Sequence, residues 1–177
     1  MPKLMKLTER SPDADRRLMA IYADSNRENA DDYYPEEDDR EIAVAKVERE
    51  FLEYLDTEFY ADPRNAYYVL AVDGEWVAAL RLSRLENYYF IEAIETRPDR
   101  RREGYTSMLY GMLIESEIPE ADIQLRCTVA RSNRASLNLH AKLGFEQELE
   151  YGIDPFSNGT YADQVTLVYQ KYPRDRP

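Results

Sequence analysis

The sequence predicts an α+β fold with one mixed, mostly antiparallel central sheet flanked by about four helices. Two observations lead to this class. Apolar residues recur at helical spacing in several segments, and between those segments they alternate with polar residues at the period of a strand. The predicted order is one strand, two helices, three strands, a helix, a strand, a helix and two strands. At 177 residues, the chain can bury one core, so a single domain over residues 1–177 is expected.

The first half of the chain contains an opening strand, two helices and three strands. Ser11 can cap the first helix, with Pro12 at its first position. The second helix follows the acidic segment 31–39, whose carboxylates suit a helix start. The period changes to two over residues 66–96, which predicts a meander whose first hairpin turns at the Asp-Gly pair 73–74.

The second half opens with a basic turn and a helix. Pro98 cannot continue a strand ladder, and helical spacing returns over residues 105–113. A strand over residues 121–129 and a short helix closed by Gly144 follow. Two last strands are separated by the turn-forming segment 154–160. The glycine-containing turn therefore joins a strand to a helix.

Composition narrows the possible partners. The formal net charge is -12 and the isoelectric point is near 4.6, so the chain should repel a phosphate backbone and attract cationic molecules. A single cysteine, Cys127, permits neither an intramolecular disulfide nor a zinc-binding thiolate cluster. The apolar run 66–72 is too short to cross a bilayer, and the N-terminus resembles no signal peptide. A cytoplasmic protein is expected.

The basic turn is the most informative segment. Arg97, Arg100, Arg101 and Arg102 precede Gly104 between a predicted strand and a predicted helix. Unpaired backbone N–H groups at a helix N-terminus bind anions, and a glycine lets a ligand approach the backbone closely. A pyrophosphate is the expected ligand, and a solvated turn that caps the helix is the alternative. Neither a P-loop nor a dinucleotide-binding motif is present.

Residues 98–106 resemble the acetyl-CoA motif of the GNAT superfamily of N-acetyltransferases, in which Arg or Gln is followed by x-x-G-x-(G or A). Arg101 and Gly104 match this motif, whereas Thr106 replaces its last small residue. The Thr106 methyl and hydroxyl could crowd the phosphates, or the hydroxyl could donate to one of them.

A second motif supports the resemblance. Residues 132–145 are similar to a later helix of the superfamily, with matches at Asn133, Ser136 and the ending Lys-Leu-Gly-Phe at 142–145. The element order agrees from about residue 4 to 171. The resemblance therefore implies a GNAT-like domain, an acetyltransferase activity and acetyl-CoA as co-substrate.

The resemblance also implies which residues bind acetyl-CoA. Backbone groups of Ile94 and Thr96 would hold the pantetheine arm. A backbone N–H near Ile94 would stabilise the oxyanion. The remaining implied contacts come from the turn and the later helix: Arg101, Arg102, Glu103, Gly104, Tyr105, Thr106, Asn133 and Ser136. A helix-start role is the alternative for Asn133.

Acetyl transfer to an amine needs a base, and an acid can assist the departing thiolate. Strand alternation places Glu92 on the face of Ile94 and Thr96, so Glu92 is the candidate base, with a solvated strand residue as the alternative. His140 stands where the superfamily most often has a tyrosine acid, and it could instead be a packed structural residue. Cys127 could accept an acetyl group, although a core position fits its strand better.

The acidic segment 31–39 could receive the acceptor. Its Tyr33 and Tyr34 could bind a cationic amine through charge and cation–π contacts, and a solvated helix start is the alternative. The expected partners are acetyl-CoA and a primary amine, with a homodimer as a candidate assembly and no metal, nucleic acid or membrane. Two rival functions are a non-catalytic acyl-CoA sensor and an acidic protein that binds a phosphorylated partner.

Overall fold

The computed structural model describes residues 1–118 and 124–170. Within these residues the helices are α1 (Pro12–Ile21), α2 (Ala23–Tyr33), α3 (Arg40–Tyr54), α4 (Tyr105–Ser116) and α5 (Arg134–Lys142). The strands are β1 (Lys3–Leu7), β2 (Asn65–Val72), β3 (Glu75–Arg84), β4 (Tyr88–Thr96), β5 (Gln124–Ala130), β6 (Glu146–Leu149), β7 (Gly152–Asp154), β8 (Gly159–Tyr161) and β9 (Gln164–Gln170). A π-helical turn follows α3 at Leu55–Phe59, and a 3-10 turn follows β4 at Pro98–Arg100.

Seven strands form one mixed sheet in the order β1-β2-β3-β4-β5-β9-β6, and β7 pairs with β8 in a second, two-stranded sheet. Strand β4 runs parallel to β5, whereas β1 is antiparallel to β2, and β9 is antiparallel to both β5 and β6. The predicted fold class is therefore confirmed. Two predicted strands, over residues 121–129 and 164–171, extend beyond the described part of the chain at residues 121–123 and at residue 171.

The backbone groups into two compact units. The first consists of residues 1–81 and 93–109, and the second of residues 82–92 with the described residues from 110 onward. The core of the first unit is rich in aromatic rings, with edge contacts among Tyr22, Phe59 and Tyr67. In the second unit, buried residues alternate along β5, at Leu125, Cys127 and Val129, as period-two patterning predicts.

Helix α1 forms as its sequence predicts. The Ser11 hydroxyl accepts a hydrogen bond from the Ala14 amide, and Pro12 occupies the first turn. Asp39 caps α3 by accepting from the amides of Glu41 and Ile42. The acidic helix start that the sequence indicates is therefore real, and one carboxylate there acts as a cap.

Periodicity predicted neither the short strands β7 and β8, which border the predicted turn 154–160, nor helix α2. Most of its residues are polar or charged, and only Asn26 and Ala30 are buried along it. It extends through residues 31–33, so only residues 34–39 connect it to α3. A helix with so narrow an apolar stripe gives almost no signal to a periodicity test.

Helix α4 buries a slightly different face from the one predicted. Helical spacing predicts a buried stripe that includes Met108, Leu109 and Leu113. Leu109 and Leu113 are fully buried, but Met108 is 38% exposed, and Tyr110, outside that stripe, is fully buried. The buried stripe is therefore rotated by a fraction of a turn toward Tyr110. The Tyr110 hydroxyl forms a hydrogen bond with His140 inside the second unit, and this bond compensates the cost of burying a polar group.

Gly111 offers a direct way to stabilise α4. It lies inside the helix, it is exposed, and an added Cβ would meet no atom within 4 Å. Because alanine loses less conformational entropy in a helix than glycine, Gly111→Ala should raise the free energy of unfolding by about 0.5–1 kcal/mol. Urea unfolding checks this result, and a lower stability for Gly111→Ala would contradict it.

Candidate functional site

Strand β4 changes its backbone geometry in the middle. Its parallel register with β5 runs from the pair Tyr88–Gln124 to the pair Ile91–Cys127, whereas β4 continues to Thr96. Ala93 has a φ of 48°, in the left-handed region. The Tyr22 hydroxyl donates a hydrogen bond of 2.5 Å to the Ala93 carbonyl, and this contact helps to hold the irregular residue in place.

This irregularity affects the prediction for Glu92. Side chains alternate regularly only while every residue is extended, so the alternation that grouped Glu92 with Ile94 and Thr96 does not extend through Ala93. Glu92 is half-buried and belongs to the second unit, whereas Ile94 and Thr96 belong to the first. The catalytic role of Glu92 stays a prediction.

The turn after β4 has the backbone of an anion-binding concavity. Arg102 and Gly104 have φ values of 70° and 82°, and α4 begins at Tyr105. Backbone in which left-handed residues alternate with residues of negative φ, as at 102–104, can turn several N–H groups toward one side, and the first N–H groups of α4 have no partner within the helix. A Cβ placed on Gly104 would meet no atom within 4 Å, so the space beside this glycine is open.

Acidic residues neutralise most of the arginines in this turn. Arg97 pairs with Asp99 and Glu75, and Arg100 pairs with Glu75 and Glu103. The Arg100 guanidinium also donates to the Tyr105 hydroxyl, at 2.8 Å. These pairs order the turn, and they leave less positive charge for a ligand than the sequence implies.

Arg101 and Arg102 differ from the other two arginines. Arg101 forms an ion pair of 2.7 Å with Asp24, in the first turn of α2, and lies 3.8 Å from Glu95. Within the described residues, Arg102 takes part in no ion pair. Arg102 therefore carries the least compensated charge of the turn.

Thr106 is held by the end of β4. Its Oγ1 lies 2.6 Å from Oγ1 of Thr96, and either hydroxyl can be the donor. The side chain that departs from the superfamily pattern thus forms a link between the last residue of β4 and the first turn of α4. The sequence pattern predicts that Thr106 either crowds a phosphate or donates to one, and it does not predict this contact with Thr96.

Glu95 is a candidate functional residue that sequence analysis missed. Its Oε1 accepts a hydrogen bond of 2.6 Å from the Ser25 hydroxyl, and its side chain is 28% exposed. Burial raises the pKa of the Glu95 carboxyl above its usual value, although the Ser25 hydrogen bond and the Arg101 charge oppose this rise. Strand alternation placed this residue on the face opposite to Glu92, and no sequence signal linked it to α2.

The motif residues of α5 form a helix cap. Asn133 is the N-cap residue, and its side-chain oxygen accepts from the Ser136 amide at 3.0 Å. Asn133 is exposed, whereas Ser136 is half-buried. This cap agrees with the helix-start alternative for Asn133, and it leaves the side-chain NH2 group as a donor.

His140 belongs to a buried network in the second unit. It is 1% exposed, its Nδ1 lies 2.8 Å from the Ser136 carbonyl oxygen, and its Nε2 lies 2.7 Å from the Tyr110 hydroxyl. Because a carbonyl only accepts, Nδ1 carries the proton and Nε2 accepts from Tyr110. Burial lowers the pKa of His140 and raises that of Tyr110 well above its usual value, so the imidazole is neutral near pH 7.

Cys127 is buried on β5, and burial raises the pKa of its thiol well above the usual value. The thiolate is the reactive form of cysteine. We therefore expect native Cys127 to react with Ellman's reagent only when the protein unfolds. The reaction in buffer and in denaturant checks this, and rapid modification of the folded protein would contradict it.

The two tyrosines predicted to face an acceptor differ in exposure. Tyr33, the last residue of α2, is 68% exposed. The Tyr34 hydroxyl donates to the Glu50 carboxylate, and the Lys46 ammonium lies 5.2 Å from the centre of the Tyr34 ring. A resident cation thus already occupies one face of Tyr34, while Tyr33 remains accessible.

Comparison with known proteins identifies the family to which the chain belongs. The model of the acetyltransferase (GNAT) family matches residues 18–145, and the chain therefore belongs to this family of acetyltransferases. Comparison with curated protein sequences finds no match.

Solved structures with the same fold include three N-acetyltransferases. The PaiA N-acetyltransferase of Thermoplasma acidophilum, in complex with coenzyme A, has a TM-score of 0.64 at 13% identity, over 96% of this chain and 99% of that one. The ribosomal-protein-S18-alanine N-acetyltransferase of Escherichia coli has a TM-score of 0.63 at 15% sequence identity, over 99% of this chain and 97% of that one. A variant of the spermidine N-acetyltransferase SpeG of Vibrio cholerae has a TM-score of 0.62 at 14% sequence identity, over 96% of this chain and 94% of that one.

The turn fits the co-substrate of this family. The left-handed residues Arg102 and Gly104 and the open space beside Gly104 suit a pyrophosphate, as do the first amides of α4, which have no partner within the helix. Across residues 1–118 and 124–170, no helix has the length and apolar character that a membrane span needs. The same residues contain no group of three His, Cys, Asp or Glu side chains arranged to hold a metal ion.

Proposed function

We propose that this protein transfers the acetyl group of acetyl-CoA to a primary amine by direct attack of the amine. The observation that carries the proposal is the turn between β4 and α4. It combines left-handed backbone at Arg102 and Gly104, free amides at a helix N-terminus and open space beside the glycine. No catalytic metal is required, because the acetyl group arrives as an activated thioester.

Each part of the turn has a proposed contact with the cofactor. The amides from Arg102 to Thr106, which include those of Glu103, Gly104 and Tyr105, would bind the pyrophosphate. The uncompensated Arg102 side chain would add charge, with Arg101 beside it. Both are exposed, so their contribution should decrease as salt concentration rises.

Strand β4 would hold the pantetheine arm. Since the register with β5 ends at Ile91, the backbone groups of Ile94 and Thr96 on that side of the strand can bond to a ligand instead of a neighbouring strand. Asn133 and Ser136, which belong to the second unit, stay the sequence-derived candidates from α5, and the Asn133 side-chain NH2 group remains a donor.

Direct attack is favoured over a two-step route through Cys127. A two-step route needs a reactive thiolate, and the Cys127 thiol is buried with a raised pKa. The amine therefore has to lose a proton before it attacks. Glu92 remains the sequence-derived candidate for this base.

His140 is the sequence-derived candidate acid, but its contacts favour a structural role. In the neutral imidazole, the Nδ1 proton is donated to the Ser136 carbonyl and Nε2 accepts from Tyr110. Neither ring nitrogen therefore has a proton that is free for the departing thiolate. Solvent can protonate a released thiolate without either residue, so we assign the acid step no residue.

The acceptor is proposed to be a cationic primary amine. The net charge of -12 creates a negative potential that attracts cations to the protein. Tyr33, which is exposed and follows Asp31 and Asp32 in an acidic segment, offers a ring face to which a cation can bind. By their names, two of the similar structures acetylate spermidine and the alanine of a ribosomal protein, so polyamines and peptide N-termini are the first acceptors to test.

One assay separates this function from its rivals. The protein is incubated with acetyl-CoA and a panel of polyamines, aminoglycosides, amino acids and peptides while free thiol is measured. Thiol release that depends on one amine supports the transferase. A rise in melting temperature with acetyl-CoA but without release supports a sensor, and no rise at all overturns both cofactor-binding functions.

A further inference from the structure

We propose that Glu95 accepts the proton from the acceptor's ammonium group, and that Ser25 positions the Glu95 carboxylate for this step. The inference rests on the acetyl transfer proposed above. It assigns the base to a residue that the sequence patterns did not single out, and it gives α2 a part in the reaction.

The position of Glu95 along β4 is the first argument. It lies between Ile94 and Thr96, whose backbone groups are the proposed contacts of the pantetheine arm. Successive residues of a strand are about 3.3 Å apart. The Glu95 side chain therefore starts within one residue of both groups proposed to hold the cofactor.

The contacts of Glu95 are the second argument. The Ser25 hydroxyl donates to Oε1 at 2.6 Å, and Oε2 lies 3.8 Å from the Arg101 guanidinium. Oε1 therefore accepts from a neutral donor, whereas Oε2 has a longer ion-pair contact with Arg101. The Glu95 side chain is 28% exposed, and in this proposal the amine approaches Oε2, the oxygen that does not accept the Ser25 hydrogen bond.

The charges around Glu95 make the carboxylate a better base. Asp24 and Glu28 face it from α2, Arg101 faces it from the turn, and Tyr22 lies at the end of α1. Burial raises the pKa of Glu95, and the two acids of α2 add to that rise against Ser25 and Arg101. A carboxylate whose pKa moves toward neutrality is a stronger proton acceptor and still releases its proton to water.

Helix α2 connects this carboxylate with the proposed acceptor surface. Ser25 lies in its first turn and Tyr33 is its last residue, a separation of about 12 Å along a helix. The helix therefore spans the distance from an exposed aromatic ring to the base. An elongated amine could bind at Tyr33 with one end while the other end reacts near Glu95.

The proton balance of the step is simple. The ammonium group gives one proton to Glu95, and the nitrogen lone pair then forms the bond to the acetyl carbon. The carbon–sulfur bond breaks, the second nitrogen proton is lost, and the thiolate takes up one proton. Glu95 returns its proton to water, so one amide, one thiol and one free proton result from one ammonium ion and one thioester.

The main test is Glu95→Gln, with Glu41→Gln as the matched control. Glu41 is an exposed glutamate in the first turn of α3. With the amine found in the thiol-release assay, we expect Glu95→Gln to lose about 100-fold or more in kcat, because general-base catalysis contributes about that much. Acetyl-CoA should still raise the melting temperature of Glu95→Gln, and Glu41→Gln should match the native protein.

Two further variants separate proton transfer from a structural role. Ser25→Ala removes a hydrogen bond that lowers the pKa of Glu95. The acid limb of the pH profile of kcat/KM should therefore move to higher pH. Glu28→Gln removes a charge that raises the pKa of Glu95, so that limb should move to lower pH. NMR titration of the glutamate carboxyl signal that disappears in Glu95→Gln should give the same pKa as the acid limb.

The outcomes distinguish this inference from the function beneath it. If the native protein releases thiol with an amine and Glu95→Gln keeps its kcat, the base is not Glu95. Loss of activity in Glu92→Gln together with full activity in Glu95→Gln would assign the base to Glu92 instead. If no amine causes thiol release from the native protein, the proposed function itself fails, whatever the variants do.

Discussion

Replacing Gly104 by alanine should remove most of the affinity for acetyl-CoA while the protein stays folded. The alanine Cβ would meet no protein atom within 4 Å, so it would occupy the open space in which the pyrophosphate is proposed to bind. We expect the Kd to rise about 100-fold, equivalent to about 2.7 kcal/mol. At a ligand concentration of about 100 times the native Kd, stabilisation should fall from about 2.7 to about 0.4 kcal/mol.

The control for this variant is Gly74→Ala. Gly74 has a φ of 86°, close to the 82° of Gly104, and an added Cβ there also meets nothing within 4 Å. Both variants should therefore lose about 1 kcal/mol of stability from the left-handed backbone. Melting temperatures with and without acetyl-CoA compare the two, and equal responses to the ligand would show that Gly104 does not adjoin the cofactor.

Replacing His140 by leucine should destabilise the protein by about 2–3 kcal/mol, because it leaves the buried Tyr110 hydroxyl without an acceptor. Tyr110→Phe alone should cost less. In the double variant both partners are apolar, so it should regain much of the loss of His140→Leu, with a coupling energy of about 1 kcal/mol or more. Urea unfolding of the native protein, the two single variants and the double variant at pH 7.5 measures this coupling energy.

The same network gives a pH dependence with a defined sign. Because burial lowers the pKa of His140 in the folded protein, the unfolded chain takes up the proton first as pH falls below about 6.5. The native protein should therefore lose stability between about pH 6.5 and the lowered folded-state pKa, and His140→Leu should lose less over that interval. If the free energy of unfolding changes equally with pH in the native protein and in His140→Leu, the buried neutral imidazole is contradicted. A large loss of kcat in His140→Leu at unchanged stability would favour the role of His140 as the acid.

The sequence predicts the fold well because most of its elements carry local signals. Ser11 and Pro12 mark a helix start, the pair Asp73 and Gly74 marks a hairpin, and Gly144 takes a φ of 88° at the end of α5. Each of these residues acts within a few positions of itself. Helix α2 has no such signal, since its sequence is polar and buries few side chains.

The candidate site is less predictable because its contacts join distant parts of the chain. Nothing local identifies Ala93 as a left-handed residue, since alanine has no preference for that region. The hydrogen bond from Ser25 to Glu95 spans 70 positions, and the ion pair from Arg101 to Asp24 spans 77. Motif matching identifies the turn itself, while its supporting side chains appear only in the folded chain.

The pairing of the arginines has a consequence for anyone who would move this turn to another protein. Arg97 and Arg100 share Glu75 at the start of β3, and Arg101 depends on Asp24 in α2. A chimera that carried residues 97–106 alone would keep Asp99 and Glu103 but would lose Glu75 and Asp24, which pair with three of its four arginines. The transferable module is therefore the turn together with the first turn of α2 and the hairpin that contains Glu75.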